Sequence, residues 1–91
     1  MPGARQRVDK WLWFARLAKS RTLAASMVSA GQLRINKVKA SKPSQEVQAG
    51  DVLTVALSGR VVVIRVIGCG ERRGPAPEAR LLYEAIESSD E

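Results

Sequence analysis

The stretch from Arg5 to Ser44 constrains the fold most, because its residue pattern predicts a helix, a turn, a second helix and a strand. The same stretch concentrates positive charge. Residues 1–44 contain ten Lys and Arg and a single acid, Asp9, whereas the remaining 47 residues contain five bases and eight acids. The net charge of +6 is therefore about +9 in one half and −3 in the other. Such segregation is typical of a face that binds a polyanion.

The first predicted helix has an apolar face and a basic face. Asp9 is a residue type that caps helices, so we expect the helix to begin there and to run to about Leu17. At about 100° per residue, apolar and basic side chains fall on opposite sides of this helix. The apolar face holds Trp11, Leu12, Phe14, Ala15 and Ala18, and the basic face holds Lys10, Trp13, Arg16 and Leu17. Trp11 and Leu12 are therefore expected in the core.

The second predicted helix is marked at both ends. Ser20 is a favourable N-cap, and Gly31 stands where a left-handed residue ends a helix, so a helix is predicted from about Arg21 to Ala30. Its outward face is small and uncharged, which allows another backbone to approach closely. The face expected in the core comprises Leu23, Ala24, Met27, Val28 and Ala30.

The remaining segments predict strands and one more helix. Residues 33–36 alternate as a strand that ends in a turn near Asn36 and Lys37. Two strands, about 52–57 and 61–67, are joined as a hairpin at Ser58 and Gly59.

Apolar residues recur at helical spacing near the C-terminus and predict a short helix over residues 78–87. Residues 1–6 are expected to form a mobile basic tail. These elements predict one α+β domain over residues 1–91, with two packed N-terminal helices against a small, mostly antiparallel sheet.

The composition excludes several kinds of chemistry. The chain has no histidine, which excludes a Ser-His-Asp triad, a Cys-His nucleophile and a Cys/His zinc site. Cys69 lies near Arg72 and Arg73, where a lowered pKa is conceivable, but an unreactive thiol is favoured. We predict that the protein is not an enzyme and uses no cofactor and no metal.

Two further expectations concern the location of the chain. A single cysteine cannot form an internal disulfide, which fits a cytoplasmic protein. The apolar runs are far shorter than the ~18 residues of a transmembrane helix, so no membrane partner is expected.

An anion-binding site is predicted at the start of the second helix. Lys19, Ser20 and Arg21 stand where free N–H groups and the helix dipole favour a negative charge. If the following strand packs beside the helix pair, its bases extend the same patch; these residues are Arg34, Asn36, Lys37 and Lys42. The alternative interpretation is a basic surface that is merely solvated.

Trp13 has two interpretations. It lies between Lys10 and Arg16 on the basic face, where an aromatic ring can stack on a base. Alternatively, its ring packs beneath the C-terminal segment against Tyr83.

Several short motifs resemble those of a known family. The residues Arg7-Val8-Asp9-Lys10, Ser20-Arg21, Gly31 and Arg34-Ile35-Asn36 are similar to the S4-type RNA-binding domain. The longer motifs Asp-Lys-Trp-Leu-Trp at 9–13, Lys-Ser-Arg-Thr-Leu-Ala at 19–24, Lys-Pro-Ser at 42–44 and Leu-Tyr-Glu at 82–84 resemble the bacterial heat-shock protein 15 family. Lys37 differs from the Gly that usually follows this Asn, and several family members continue into a long basic tail after Leu-Tyr-Glu.

The resemblance implies a fold and a function. It implies an S4-like domain of the alpha-L motif type, with its core over residues 7–54, that binds ribosomal RNA on the large ribosomal subunit. It also implies recycling of stalled subunits that carry a nascent chain, with peptidyl-tRNA as a further candidate partner. The predicted RNA-binding residues are Arg7, Lys10, Trp13, Arg16, Lys19, Ser20, Arg21, Thr22, Arg34, Asn36, Lys37 and Lys42.

Three alternatives remain at this point. An S4 module can act in ribosome assembly, or it can target an RNA-modifying enzyme; the second requires a catalytic domain for which 91 residues leave no room. A protein-binding adaptor would leave the charge segregation unexplained. We expect a monomer, since no exposed apolar heptad suggests assembly.

Overall fold

The computed structural model describes residues 4–57, 59–71 and 73–90. Within these ranges, seven short strands and three helices fold around one core, and a 3₁₀ turn at Arg80–Leu82 follows the last helix. The helices are α1 (Val8–Phe14), α2 (Arg21–Ser29) and α3 (Ala76–Ala79). The strands are β1 (Arg5–Arg7), β2 (Leu33–Ile35), β3 (Val38–Lys39), β4 (Glu46–Gln48), β5 (Val52–Leu57), β6 (Arg60–Val66) and β7 (Tyr83–Asp90).

Two antiparallel sheets organise the chain. β1 and β4 form a two-stranded ribbon, and the other strands form a five-stranded sheet in the order β3-β2-β5-β6-β7. Neighbours in the larger sheet are antiparallel throughout, with Leu33 opposite Val55 and Leu53 opposite Ile64. The α+β, mostly antiparallel prediction is therefore confirmed, and so is the β5–β6 hairpin, whose Ser58 lies outside the described residues.

The core joins both N-terminal helices to the inner face of the larger sheet. Trp11 and Leu12 are fully buried, as expected from the apolar face of α1. They form one cluster with residues of α2, β2, β5 and β6, namely Ala24, Val28, Leu33, Leu53, Val55, Ile64 and Val66. Trp11 also donates its Nε1–H to the Gly68 carbonyl at 2.8 Å, so its polar edge is satisfied inside the core.

α2 confirms the predicted caps. The Ser20 hydroxyl oxygen accepts from the Leu23 N–H at 3.0 Å, and Gly31 adopts φ +79° just after the helix. The N–H groups of Gly31 and Gln32 bind the carbonyls of Val28 and Met27, which is the Schellman pattern. The predicted buried face is wrong at Leu23, which is 49% exposed, and at Ala30, which is also exposed.

α1 differs from the prediction at both ends. It begins at Val8 with Arg7 as the capping residue, so Asp9 is not the N-cap. It ends at Phe14 rather than near Leu17, because Arg16 turns into the left-handed region at φ 61°. The Leu17 and Ala18 N–H groups then both bind the Leu12 carbonyl and close the chain against the helix end.

Two terminal segments are corrected by strand pairing. Residues 1–6 were expected to be a mobile tail, but Arg5–Arg7 pairs with Glu46–Gln48; residues 1–3 lie outside the described residues. The predicted short C-terminal helix is present, but its bounds of 78–87 are wrong, because α-helix occupies Ala76–Ala79 and β7 follows the 3₁₀ turn. β7 satisfies the otherwise open edge of β6, and this tertiary pairing outweighs helical spacing.

The prediction from this packing concerns Trp11. Trp11→Ala should lower the free energy of unfolding by about 3–5 kcal/mol, because it leaves a cavity in the core and an unpaired Gly68 carbonyl. Chemical denaturation with urea measures the change. Leu81→Ala serves as the control, since Leu81 is 73% exposed and should change stability by less than about 0.5 kcal/mol. Similar losses in both variants would contradict the assignment of Trp11 to the core.

Candidate nucleic-acid interface

The start of α2 presents anion-binding groups to solvent. Lys19, Arg21 and Thr22 are exposed, and Ser20 is half-buried as the N-cap. Helix geometry leaves the Arg21 and Thr22 N–H groups without an intrahelical partner. The Ser20 hydroxyl accepts from Leu23, so its own hydrogen can still donate to a ligand. One phosphate could therefore meet backbone donors, a hydroxyl and two cations at this point.

A buried carboxylate positions two of the predicted cations. Asp9 is 4% exposed, and it accepts from Arg7 at 3.0 and 3.2 Å and from the Lys10 N–H at 2.7 Å. Arg21 Nε lies 3.8 Å from the same carboxylate. Arg7 and Arg21 keep 48% and 44% of their side-chain surface exposed. We call Arg7, Asp9 and Arg21 the Asp9 cluster; it places two guanidinium groups side by side at the surface.

The loop that carries Lys42 lies against the same end of α1. The Val8 N–H binds the Gln45 carbonyl at 2.6 Å, and the Asp9 N–H binds the Pro43 carbonyl at 3.3 Å. The Gln45 side chain accepts from the Lys42 N–H at 3.1 Å, which holds the loop in shape. The structure therefore brings exposed Lys42 to the neighbourhood of the Asp9 cluster, as the sequence predicts.

The β2–β3 hairpin carries two of the predicted cations, Arg34 and Lys37, at exposed positions. Asn36 and Lys37 have φ of 52° and 73°, so the two-residue loop has the type I′ form although Lys replaces the usual Gly. The Asn36 side chain accepts from the Val52 N–H at 2.9 Å and donates to Asp51 at 3.2 Å. Asn36 therefore fixes the hairpin to the start of β5, and its predicted contact with RNA stays a prediction.

The remaining predicted residues extend along α1 from Lys10, next to Asp9, to Arg16, just beyond the end of the helix. Lys10 Nζ lies 5.5 Å from the centre of the Phe14 ring. The Trp13 ring is half-buried and packs on Phe14 at 5.5 Å, while Arg16 is exposed. Trp13 follows Asp9 by four residues in α1, and a helix rises about 1.5 Å per residue, so the two positions are separated by roughly 6 Å along the helix.

A loop distant in sequence covers this end of α1. The Arg73 guanidinium lies 5.6 Å from the centre of the Trp13 ring, and Arg73 Nε donates to the Trp13 carbonyl at 3.2 Å. Arg16 Nε donates to the Gly74 carbonyl at 2.7 Å. Trp13 therefore packs beneath the C-terminal half of the chain, as its second interpretation expects, but its partner there is Arg73, whereas Tyr83 packs edge-on against Trp11 at 6.2 Å. Arg73 carries no local signal in the sequence, because it lies 60 residues from Trp13 along the chain.

The rest of the described residues show no competing site of reactive chemistry. Burial raises the pKa of the Cys69 thiol, which favours the unreactive interpretation of this residue. A cleft of about 170 Å³ beside Cys69 is lined by Phe14, Leu82 and the carboxylates Glu71 and Glu78, a lining unsuited to phosphate. Among the described residues, no group of three His, Cys, Asp or Glu side chains could hold a metal, and no helix is long and apolar enough to cross a membrane.

Comparison with known families defines the class of protein. The S4 domain model matches residues 6–53, which contain the helix pair, the β2–β3 hairpin and β4. This class is the one predicted from the motifs around Asp9, Ser20 and Arg34.

Individual relatives narrow the assignment. The chain is 41% identical to heat shock protein 15 of Escherichia coli K12 over 99% of its own length and 67% of the relative. It is 40% identical to the Haemophilus influenzae homolog, of which it spans 63%. A structure described as trimeric heat shock protein 15 of Vibrio cholerae superimposes with a TM-score of 0.84 at 36% identity, covering 90% of this chain and 82% of that one. The chain therefore belongs to the heat shock protein 15 family of S4 domain proteins.

A second group of relatives has a different name. The chain is 42% identical over 60 residues to a Bacillus subtilis protein named RQC P-site tRNA stabilizing factor, covering 66% of this chain and 69% of the relative.

The Asp9 cluster generates a prediction about stability. Asp9→Asn should lower the free energy of unfolding by about 1.5–3 kcal/mol, because two guanidinium groups lose a charged acceptor. Urea denaturation measures the loss. The matched control is Glu84→Gln, which removes a surface ion pair of 2.7 Å with Arg65 and should cost no more than about 1 kcal/mol. Equal costs for the two variants would show that Asp9 does not hold the helices together.

The left-handed turn generates a second prediction. Lys37→Gly should raise the free energy of unfolding by up to about 1 kcal/mol, because glycine adopts positive φ without the steric cost that a side chain meets. Lys39→Gly is the control; Lys39 lies in β3 and has no positive φ, so glycine there should be destabilising. Thermal unfolding of both variants measures the difference. Destabilisation by Lys37→Gly would mean that the Lys37 side chain, rather than the backbone, stabilises the turn.

Proposed function

We propose that this chain binds ribosomal RNA on the large ribosomal subunit and acts on stalled subunits that carry a nascent chain. The observation that carries the proposal is the arrangement at the start of α2, where the Asp9 cluster, Lys19 and the free N–H groups share one surface. Membership of the heat shock protein 15 family supports the ribosome as the partner.

Recognition would rest on phosphates and on RNA shape. Arg7 and Arg21 offer planar groups that bind phosphate through two hydrogen bonds, and Lys19 adds a point charge. The outward face of α2 has only short side chains at Thr22 and Ser26, so an RNA backbone can approach the helix closely. Such contacts position a structured RNA without reading its sequence.

We further propose that this chain distinguishes large subunits that carry peptidyl-tRNA from empty ones. The Bacillus subtilis relative is named for stabilising tRNA at the P site, which supports peptidyl-tRNA as a second partner of this chain. In this interpretation, tRNA in an otherwise free large subunit adds phosphates or a conformation that an empty subunit lacks. Binding without catalysis is sufficient for this role, so we propose a cytoplasmic binding factor that is not an enzyme.

The first experiment measures the electrostatic contribution of the site. Lys19→Glu should weaken binding to purified large subunits by about tenfold or more at 0.15 M salt, because it places an anion beside the phosphate position. Arg60→Glu makes the same change in net charge at the β5–β6 turn and should have a much smaller effect. In the unmodified protein, log affinity should fall with log salt with a slope of roughly −3 to −5, as expected for ~4–6 phosphates.

Two outcomes would contradict the site. Equal losses in Lys19→Glu and Arg60→Glu would indicate a diffuse response to net charge. A flat dependence on salt would remove the electrostatic basis altogether.

The second experiment tests the partner. The protein should co-sediment with free large subunits from a cell lysate, more strongly when they retain peptidyl-tRNA, and Lys19→Glu should reduce the amount that co-sediments. Enrichment on small subunits or their precursors would indicate ribosome assembly instead.

Sedimentation of the protein alone gives its oligomeric state; we expect a monomer of 9.9 kDa. A species three times heavier would match the trimer described for the Vibrio cholerae relative.

A further inference from the structure

We propose that Trp13, Arg16 and Arg73, which we call the Trp13 cluster, form a second RNA contact that holds one unpaired nucleotide. The base would stack over the Arg73 guanidinium, and the adjoining phosphate would pair with Arg16. This proposal rests on the proposed RNA-binding function and adds the kind of RNA element recognised, an unpaired nucleotide beside a helical region.

The first argument is the preorganisation of Arg73. Its guanidinium lies over the Trp13 ring at 5.6 Å, and its Nε donates to the Trp13 carbonyl at 3.2 Å. The guanidinium therefore lies against the indole, and the hydrogen bond restricts its movement. An arginine held in this way loses little conformational entropy when a base stacks on it, and bases of single-stranded RNA commonly stack on such planes.

The second argument is the backbone that holds the cluster together. Arg16 adopts a left-handed φ of 61°, a conformation that costs about 1–2 kcal/mol for a residue with a side chain. It also donates through Nε to the Gly74 carbonyl at 2.7 Å, beside Arg73 in the chain. This geometry fixes one edge of the Arg16 guanidinium and leaves its other N–H groups available at an exposed position.

The third argument is the position of the cluster relative to the first contact. The Asp9 cluster lies at the start of α1 and the Trp13 cluster toward its C-terminal end, and Asp9 and Trp13 are roughly 6 Å apart along the helix axis. Successive phosphates along one RNA strand are separated by a distance of the same order, so one RNA segment of a few nucleotides could engage both. The structured part would meet the Asp9 cluster, and an unpaired base would reach Arg73. Because Arg73 covers one face of the indole, the guanidinium rather than that face of Trp13 meets the base.

The experiment uses a short RNA hairpin with one bulged nucleotide and a fully paired hairpin of the same length. Arg73→Ala should weaken binding of the bulged RNA by about 5- to 150-fold, the range expected when one stacking contact is lost. Binding of the paired RNA should fall no more than with Arg60→Ala, which removes the same charge elsewhere. Arg73→Lys restores the charge but not the planar group, so it should recover only part of the affinity for the bulged RNA.

A fluorescent base separates stacking from stability. With 2-aminopurine at the bulge, binding of the unmodified protein should change the emission, and Arg73→Ala at a saturating concentration should not change it in the same way. Thermal unfolding of each variant confirms that it remains folded. Equal loss for both RNAs, or the same emission change with Arg73→Ala as with the unmodified protein, would overturn this proposal while leaving the proposed function intact. If the unmodified protein binds neither RNA and also fails to bind the large subunit, the proposed function is contradicted instead.

Discussion

The buried carboxylate of Asp9 is the interaction on which the arrangement of the basic surface depends. Burying a charge is costly unless charged partners and hydrogen bonds satisfy it. Asp9 obtains these partners from three directions: Arg7 at the end of β1, the backbone of α1 and Arg21 at the start of α2. The carboxylate of Asp9 links the two helices, and it also holds the two positive charges of Arg7 and Arg21 near each other at the surface. Without it, Arg7 and Arg21 would repel one another.

The loop after β6, in the C-terminal half of the chain, packs against the N-terminal half and forms part of the same surface. The loop after β6 is held to the N-terminal half by Trp11 at Gly68, by Gln6 at Gly70 and by Arg16 at Gly74. Gln6 makes two hydrogen bonds with the Gly70 backbone, of 2.8 and 3.1 Å. The loop has little regular structure, yet these bonds determine its path along α1. It is this path that brings Arg73 to Trp13.

Local signals explain which parts of the fold could be predicted. Ser20 and Gly31 mark the ends of α2 by side-chain capping and by left-handed geometry, and both act within a few residues of sequence. β1 was missed because the three residues Arg5–Arg7 show no apolar alternation, and its strand conformation depends on β4. β7 was mistaken for a helix because its spacing fits a helix, whereas the unpaired edge of β6 decides its conformation.

The residues of the candidate site also fall into two groups: some have a local sequence signal, and the role of others depends on the folded structure. Lys19 to Thr22 could be predicted from the cap and the charges, but the role of Asp9 could not, because its partner Arg21 comes from another helix. Residue type alone assigned Asp9 to capping. Arg73 was beyond prediction for the same reason, since only the folded loop brings it to α1.

The proposed RNA-binding surface lies around the start of α2. Ultraviolet crosslinking of the complex with the large subunit, followed by mass spectrometry of the peptides attached to nucleotides, tests this location most directly. We expect crosslinks in the peptides that contain Lys19 to Thr22, Lys42 and Arg34, with none from the β5–β6 turn at Arg60. Crosslinks concentrated on β6 and β7, with the start of α2 unmodified, would contradict it.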